Sequence, residues 1–126
     1  MRRIDFHVPI YDWMITIVTI YNQGCKEDVK SLLKEFHLPL QDEVMKNIEN
    51  EDYNGGKIFT RKSRREAVVI IFPWKSEEAF VRTINHEKRH IVDSIVKWHN
   101  IEDAEAAAYL DGFISVEIYK CLNDLR

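Results

Sequence analysis

Two periodicities divide the chain into predicted strands and helices. Trp13 to Tyr21 is rich in β-branched and aromatic residues and predicts a long, central strand. Lys57 to Thr60 predicts a short strand, and the strongly apolar segment Glu66 to Phe72 predicts another. The turn at Arg61 to Arg65 joins these two strands into a hairpin. The residues before Pro9 alternate only loosely between apolar and polar positions.

Segments with helical periodicity lie between and after these strands. Lys26 to Phe36 carries apolar residues on one face, and Asp42 to Asn50 predicts a second helix. Asp52 to Gly56 is rich in turn-forming residues and predicts a loop. Ser76 is a good N-cap for a third helix, and a fourth helix begins at Glu102.

This order of elements separates the strands from the helices along the chain. It predicts an α+β fold in which a small antiparallel sheet packs on helices. The chain of 126 residues is expected to form one domain, residues 1–126, because its 45% hydrophobic residues suffice for a single core.

The strongest chemical signal lies in the third predicted helix. His86 and His90 share one face of this helix, and Glu87 follows the first histidine. This HExxH pattern is typical of zinc hydrolases, in which two imidazoles hold the metal and the glutamate takes a proton from metal-activated water. Apolar residues from Phe80 to Trp98 cluster on the opposite side, which predicts a histidine face directed to a cleft or to solvent. The alternative is a solvated helix face that carries two histidines by chance.

A catalytic zinc site needs a third protein ligand. The metzincin continuation HExxHxxGxxH is excluded, because Asp93 and Val96 occupy its glycine and histidine positions. Asp93, His99 and Glu105 remain as candidates. Asp93 is better placed to hold an imidazole N–H, and His99, at the end of the helix, would point away from His90. Glu105 lies on the next helix.

The fourth predicted helix carries one stripe at helical spacing. The stripe consists of Glu105, Ala108, Tyr109, Gly112 and Val116. Its small residues would let this helix approach the histidine helix closely, and a carboxylate on the stripe would then meet the histidine pair. Acidic residues also suit the first turn of a helix, which is the alternative explanation for Glu105.

The two helices together resemble a known family. The pattern HExxH at residues 86–90, followed by ExxxYLxGFI at residues 105–114, is similar to the small zincin-like, gluzincin-type metallopeptidases of phages and mobile elements. The resemblance extends from Thr83 to Leu122. It implies a zincin-like fold, a zinc ion as cofactor and a peptide or protein substrate. The implied zinc ligands are His86, His90 and Glu105, and the implied general base is Glu87.

Two further roles follow if the chain is such an enzyme. Tyr109, one turn after Glu105, is a candidate hydrogen-bond donor to the oxyanion, and its alternative role is that of a buried packing residue. The hairpin before the histidine helix is the candidate for holding an extended peptide along its edge strand.

Charge and cysteine content narrow the partners and the compartment. The net charge of -3 argues against general nucleic-acid binding, and the basic cluster from Lys57 to Arg65 is interpreted as a solvated turn. Cys25 and Cys121 form no metal motif and are expected to be reduced. With no secretory signal predicted, we expect an intracellular, cytoplasmic location. No run reaches the about eighteen apolar residues of a membrane span.

The sequence is therefore compatible with three functions. The first is a minimal zinc-dependent metallopeptidase, and the second is a non-catalytic zincin-fold scaffold or interaction protein of a phage or mobile element. In the third, the HExxH pattern is accidental and the chain is a small binding module. Glu87 separates the first two, because a scaffold does not need its carboxylate, and zinc content separates both from the third.

Overall fold

The computed structural model describes residues 1–50 and 53–126. The described residues form an α+β fold with a four-stranded sheet and five α-helices. The elements are β1 (Arg2–Val8), β2 (Trp13–Thr19), α1 (Lys26–Glu35), α2 (Asp42–Glu49), β3 (Gly56–Arg61), β4 (Glu66–Ile71), α3 (Glu77–Trp98), α4 (Ala104–Lys120) and α5 (Leu122–Leu125). The predicted loop at 52–56 falls partly outside the described residues, and its last residue, Gly56, already begins β3.

The sheet has the strand order β1-β2-β4-β3. β1 pairs with β2, and β3 pairs with β4, in antiparallel hairpins. The two central strands, β2 and β4, run parallel to each other. The predicted β3–β4 hairpin and the central position of β2 are confirmed. The prediction of a purely antiparallel sheet is wrong, and β1 is a strand that the loose alternation before Pro9 did not reveal.

The composition of β4 explains why the sheet is mixed. Ala67, Val69 and Ile71 face the core beneath α3, α4 and α5, whereas Val68 and Ile70 face the core beneath α1 and α2. A strand that is apolar on both faces has to be covered on both faces, and such strands commonly have parallel neighbours. The helices therefore lie on both sides of the sheet in three layers, and they are not segregated to one side.

Local signals place α3 where the sequence predicts it. The Ser76 side chain accepts a hydrogen bond from the N–H of Ala79 at 3.1 Å, which caps the first turn. Phe80, Ile84 and Ile91 are buried against the sheet. This burial turns the opposite side of the helix, with His86 and His90, to solvent.

α4 runs back along α3 in the antiparallel direction. The Lys88 ammonium lies 3.2 Å from the Asp111 carboxylate and donates to the Ser115 hydroxyl at 3.1 Å. At the other end, Arg126 after α5 forms an ion pair with Glu77 at the start of α3. These contacts fix the position of α4 along the axis of α3.

The face that α4 packs inward differs from the predicted one. Leu110, Ile114 and Ile118 are buried, whereas the predicted stripe around Gly112 points outward. A Cβ added at Gly112 would meet no heavy atom within 4 Å. The expectation that small residues bring α4 close to α3 is therefore wrong, because the larger aliphatic side chains bury more apolar area.

Candidate functional site

His86 and His90 form a close pair on the exposed face of α3. Their Nε2 atoms lie 3.1 Å apart, and their ring centroids are 4.8 Å apart in an edge-on arrangement. Two imidazole nitrogens bound to one tetrahedral zinc ion lie roughly 3.3 Å apart, given zinc–nitrogen bonds of about 2.0–2.1 Å. The spacing of these two rings therefore fits a shared metal ion without rearrangement of the helix.

Glu87, between the two histidines in sequence, points into the protein. Its side chain is 5% exposed and lies against Gly56 at the start of β3. The Oε2 atom is buried and has no hydrogen-bond partner. Burial raises the pKa of the Glu87 carboxyl, and the charges of His90 and His86 oppose this shift. A buried carboxylate oxygen without a partner is costly to the fold, which makes Glu87 a candidate functional residue.

A cleft of about 490 Å³ lies beside these residues. One wall is the segment Tyr53 to Gly56, and the other wall is α3, through Arg82, Thr83, His86 and Glu87. Asn54 connects the two walls, because its carbonyl oxygen accepts a hydrogen bond from the Thr83 hydroxyl at 3.1 Å. The N–H of Asn54 donates to the carbonyl oxygen of Pro73. The cleft is thus built by tertiary contacts between the β3 edge and the histidine helix.

The prediction for Gly56 follows from its contact with Glu87. A Cβ at position 56 would lie 3.0 Å from Glu87 Cγ and 3.0 Å from the Ile70 carbonyl oxygen. We expect Gly56→Ala to displace the Glu87 side chain and to lower the free energy of unfolding by about 1–3 kcal/mol. Chemical denaturation measures this loss. Unchanged stability in Gly56→Ala would show that no close contact exists there.

Glu105 is not brought to the histidine pair. It is exposed in the first turn of α4, where its N–H donates to the side chain of the N-cap Asp103 at 2.9 Å. Asp111, six residues after Glu105, lies at the level of Lys88, which is midway between the two histidines along α3. Glu105 therefore lies about 9 Å from that level, toward the C-terminal end of α3. Among residues 1–50 and 53–126, no group of three or more His, Cys, Asp or Glu side chains is arranged to hold a metal ion.

Tyr109 also lies away from the cleft. Its side chain is 72% exposed and lines an apolar groove, about 330 Å³ in volume, with Ala106 and the β1–β2 turn. None of the residues lining this groove lines the cleft beside His86. The alternative role of a buried packing tyrosine is wrong, because Leu110 and not Tyr109 is buried on this helix.

The two other candidate ligands have partners elsewhere. The Asp93 carboxylate lies 3.2 Å from the Arg89 guanidinium. His99 Nε2 accepts a hydrogen bond from the Trp13 indole N–H at 2.8 Å, which ties the end of α3 to β2. Burial lowers the pKa of His99, consistent with a neutral ring that serves as the acceptor.

Sequence reasoning missed the residues of the second cleft wall. The sequence predicts only a loop for Tyr53, Asn54 and Gly56, which line the same cleft as Glu87. The available signal was the pair Gly55-Gly56 directly before a strand, since glycine there indicates a close approach of another group to the backbone.

Comparisons with models of protein families, with curated proteins and with solved structures found no match to this chain. No helix of the described residues has the length and the apolar character that crossing a membrane requires.

Proposed function

We propose that this chain is a zinc-dependent hydrolase of peptide bonds, of the small zincin-like type. One observation carries the proposal: two imidazole nitrogens 3.1 Å apart lie beside a cleft in which the carboxylate between them is buried without a partner for Oε2. An accidental HExxH on a solvated helix would leave the glutamate free to turn to water, and no energetic reason would keep it buried.

The side chains present fit the histidine part of a zinc site. His86 and His90 would hold the ion. The resemblance implies Glu105 as a third ligand, but Glu105 lies outside this pair in the first turn of α4, so the proposed site rests on the two histidines. A zinc ion in such a site supplies Lewis acidity, which makes a neighbouring water acidic enough to lose its proton near neutral pH.

Glu87 is assigned the role of general base. Its raised pKa makes the carboxylate a stronger base, and Oε2 has an open position for a proton. Tyr53 lines the cleft, so it replaces Tyr109 as the candidate hydrogen-bond donor to the oxyanion. The buried wall formed by Gly56 limits the access of water to one side of the carboxylate.

The position of β3 supports an extended peptide as the substrate. β3 is the last strand in the order of the described sheet, so one of its edges pairs with no described strand. Gly56, its first residue, lies in the cleft wall beside Glu87. A peptide added along this edge would form main-chain hydrogen bonds and pass the cleft, as in strand addition generally.

A second candidate function is that of a non-catalytic scaffold or interaction protein. The exposed aromatic and aliphatic residues of α4 favour this function, because an apolar helix face directed to solvent is typical of a binding surface. In that case the carboxylate of Glu87 would be dispensable.

The zinc content of the purified protein tests the metal site. We expect about one zinc ion per chain in wild-type protein, and loss of zinc in His86→Ala and His90→Ala, because removal of one imidazole breaks the pair. His7→Ala is the control, since His7 is an exposed histidine that pairs with Asp12. Elemental analysis of protein prepared without chelators gives the result.

Two results would contradict parts of this proposal. Wild-type protein that neither contains nor takes up zinc would exclude the metallopeptidase function. Loss of zinc in Glu105→Ala would contradict the two-histidine site and establish Glu105 as a ligand.

A further inference from the structure

The outer face of α4 is apolar and exposed. The residues of this face, here called the α4 face, are Glu105, Ala108, Tyr109, Gly112, Val116, Tyr119 and Lys120. Tyr109 and Val116 lie seven residues apart, and so do Gly112 and Tyr119. Apolar residues at heptad spacing on an exposed helix are typical of a helix that packs against another helix.

The monomer gives no reason for this composition. Leu110, Ile114 and Ile118 already bury the inner face of α4, yet Tyr109, Val116 and Tyr119 are 72%, 51% and 77% exposed on the other side. A helix that is apolar all round is normally buried all round. The α4 face therefore requires a partner.

We propose that the partner is a second copy of this chain, bound through the α4 faces of the two copies in antiparallel orientation about a two-fold axis. Such an interface must be self-complementary. The two-fold axis means that if one residue of the first copy contacts a second residue of the other copy, the same contact occurs again with the two copies exchanged. Shape and charge along α4 both satisfy this condition.

The shape is complementary about the middle of the helix. In an antiparallel pair centred at Gly112 and Phe113, Gly112 lies at the crossing, where the absence of a side chain permits close approach. A Cβ added there meets no atom of the same chain within 4 Å, so the glycine is not required by the monomer. In the same register Tyr109 of each copy lies opposite Val116 of the other.

The two ends of the α4 face carry opposite charges. Glu105 is the exposed acidic residue at the N-terminal end, and Lys120 is the exposed basic residue at the C-terminal end. The antiparallel register places Glu105 of each copy opposite Lys120 of the other, and the symmetry makes two such pairs. A parallel pair would bring like charges together.

The apolar groove beside Tyr109 gives the interface a further pocket. Val8 to Tyr11, Ala106 and Phe113 line this groove of about 330 Å³. The antiparallel register brings Tyr119 of the second copy opposite Ala106, at the mouth of the groove. A tyrosine ring inserted there would bury the apolar lining and could keep its hydroxyl in water.

Sedimentation equilibrium on wild-type protein and on one matched pair of variants tests the inference. We expect a wild-type dimer at micromolar concentration. Val116→Lys should raise the dimer dissociation constant roughly a hundredfold, because each introduced cation would be buried against Tyr109 of the other copy without an anionic partner. Leu40→Lys, at a residue 56% exposed outside α4, should leave the constant unchanged. Circular dichroism verifies that each variant is folded.

A charge exchange tests the antiparallel register. Glu105→Lys and Lys120→Glu should each weaken the dimer, because like charges then face each other at both ends, and the double variant should restore it. A monomeric wild type at about 100 μM, well above a micromolar dissociation constant, would overturn the proposal and leave the α4 face to a different protein. A dimer that Val116→Lys does not weaken, or that the double variant does not restore, would also overturn it.

Discussion

Glu87→Gln is expected to abolish peptide hydrolysis and at the same time to raise the melting temperature. Loss of a general base lowers turnover by about 10²–10⁴-fold, because an amide cannot accept the proton. The same change removes a buried ionisable group whose Oε2 has no hydrogen-bond partner. We expect the melting temperature to rise by about 3–5 °C, as for roughly 1 kcal/mol of added stability in a domain of this size.

Cleavage of a peptide library by zinc-loaded protein, followed by mass spectrometry, measures the activity, and calorimetry measures the melting temperature. Glu78→Gln is the matched control, because Glu78 is an exposed glutamate of the same helix that pairs with Arg82. It should change neither quantity appreciably. Hydrolysis that persists in Glu87→Gln would exclude the general-base role, and a lower melting temperature would show that the carboxylate stabilises the fold.

Ile70→Ala and Ile71→Ala are each expected to destabilise the protein by about 2–5 kcal/mol. Both side chains are fully buried, but they belong to different cores, one on each side of the sheet. Each truncation leaves a cavity in a separate layer, so the double variant should lose more stability than either single variant. Urea denaturation of the two single variants and the double variant measures these free energies.

Met14→Ala is the control for these variants, since Met14 lies on the neighbouring strand β2 with 44% of its side chain exposed. Its truncation should cost less than about 0.5–1 kcal/mol. If either isoleucine variant proved as mild as Met14→Ala, one face of β4 would be open to solvent, and the three-layer arrangement would be incorrect.

The helices and the hairpin could be predicted from the sequence because their signals are local. Ser76 caps α3 through a contact three residues away, and the apolar spacing in α1 and α2 indicates both helices. The direction of β4 relative to β2 could not be predicted, because no local pattern reports which strand lies beside another. The apolar run in β4 is typical of a strand buried on both faces, but the order of elements led to the prediction of segregated layers.

The candidate site also combines features that follow from the local sequence with features that depend on tertiary contacts. The pairing of His86 and His90 follows from helical periodicity, and the structure brings their Nε2 atoms to 3.1 Å. The burial of Glu87 depends on Gly56, which is far away in sequence. The positions of Glu105 and Tyr109 depend on which face α4 turns to the core, and the sequence offered two apolar faces of similar strength.

By itself, the sequence determined the helical and extended segments, the HExxH pair and the exposure of its histidines, because these follow from short-range geometry and from one amphipathic helix. Only the tertiary structure decided the parallel pairing of β2 with β4, the cleft between Tyr53 and Glu87, and the outward direction of the α4 face. Each of these depends on competition between distant surfaces for burial, and the larger apolar area gained by Leu110, Ile114 and Ile118 placed the stripe around Gly112 in solvent.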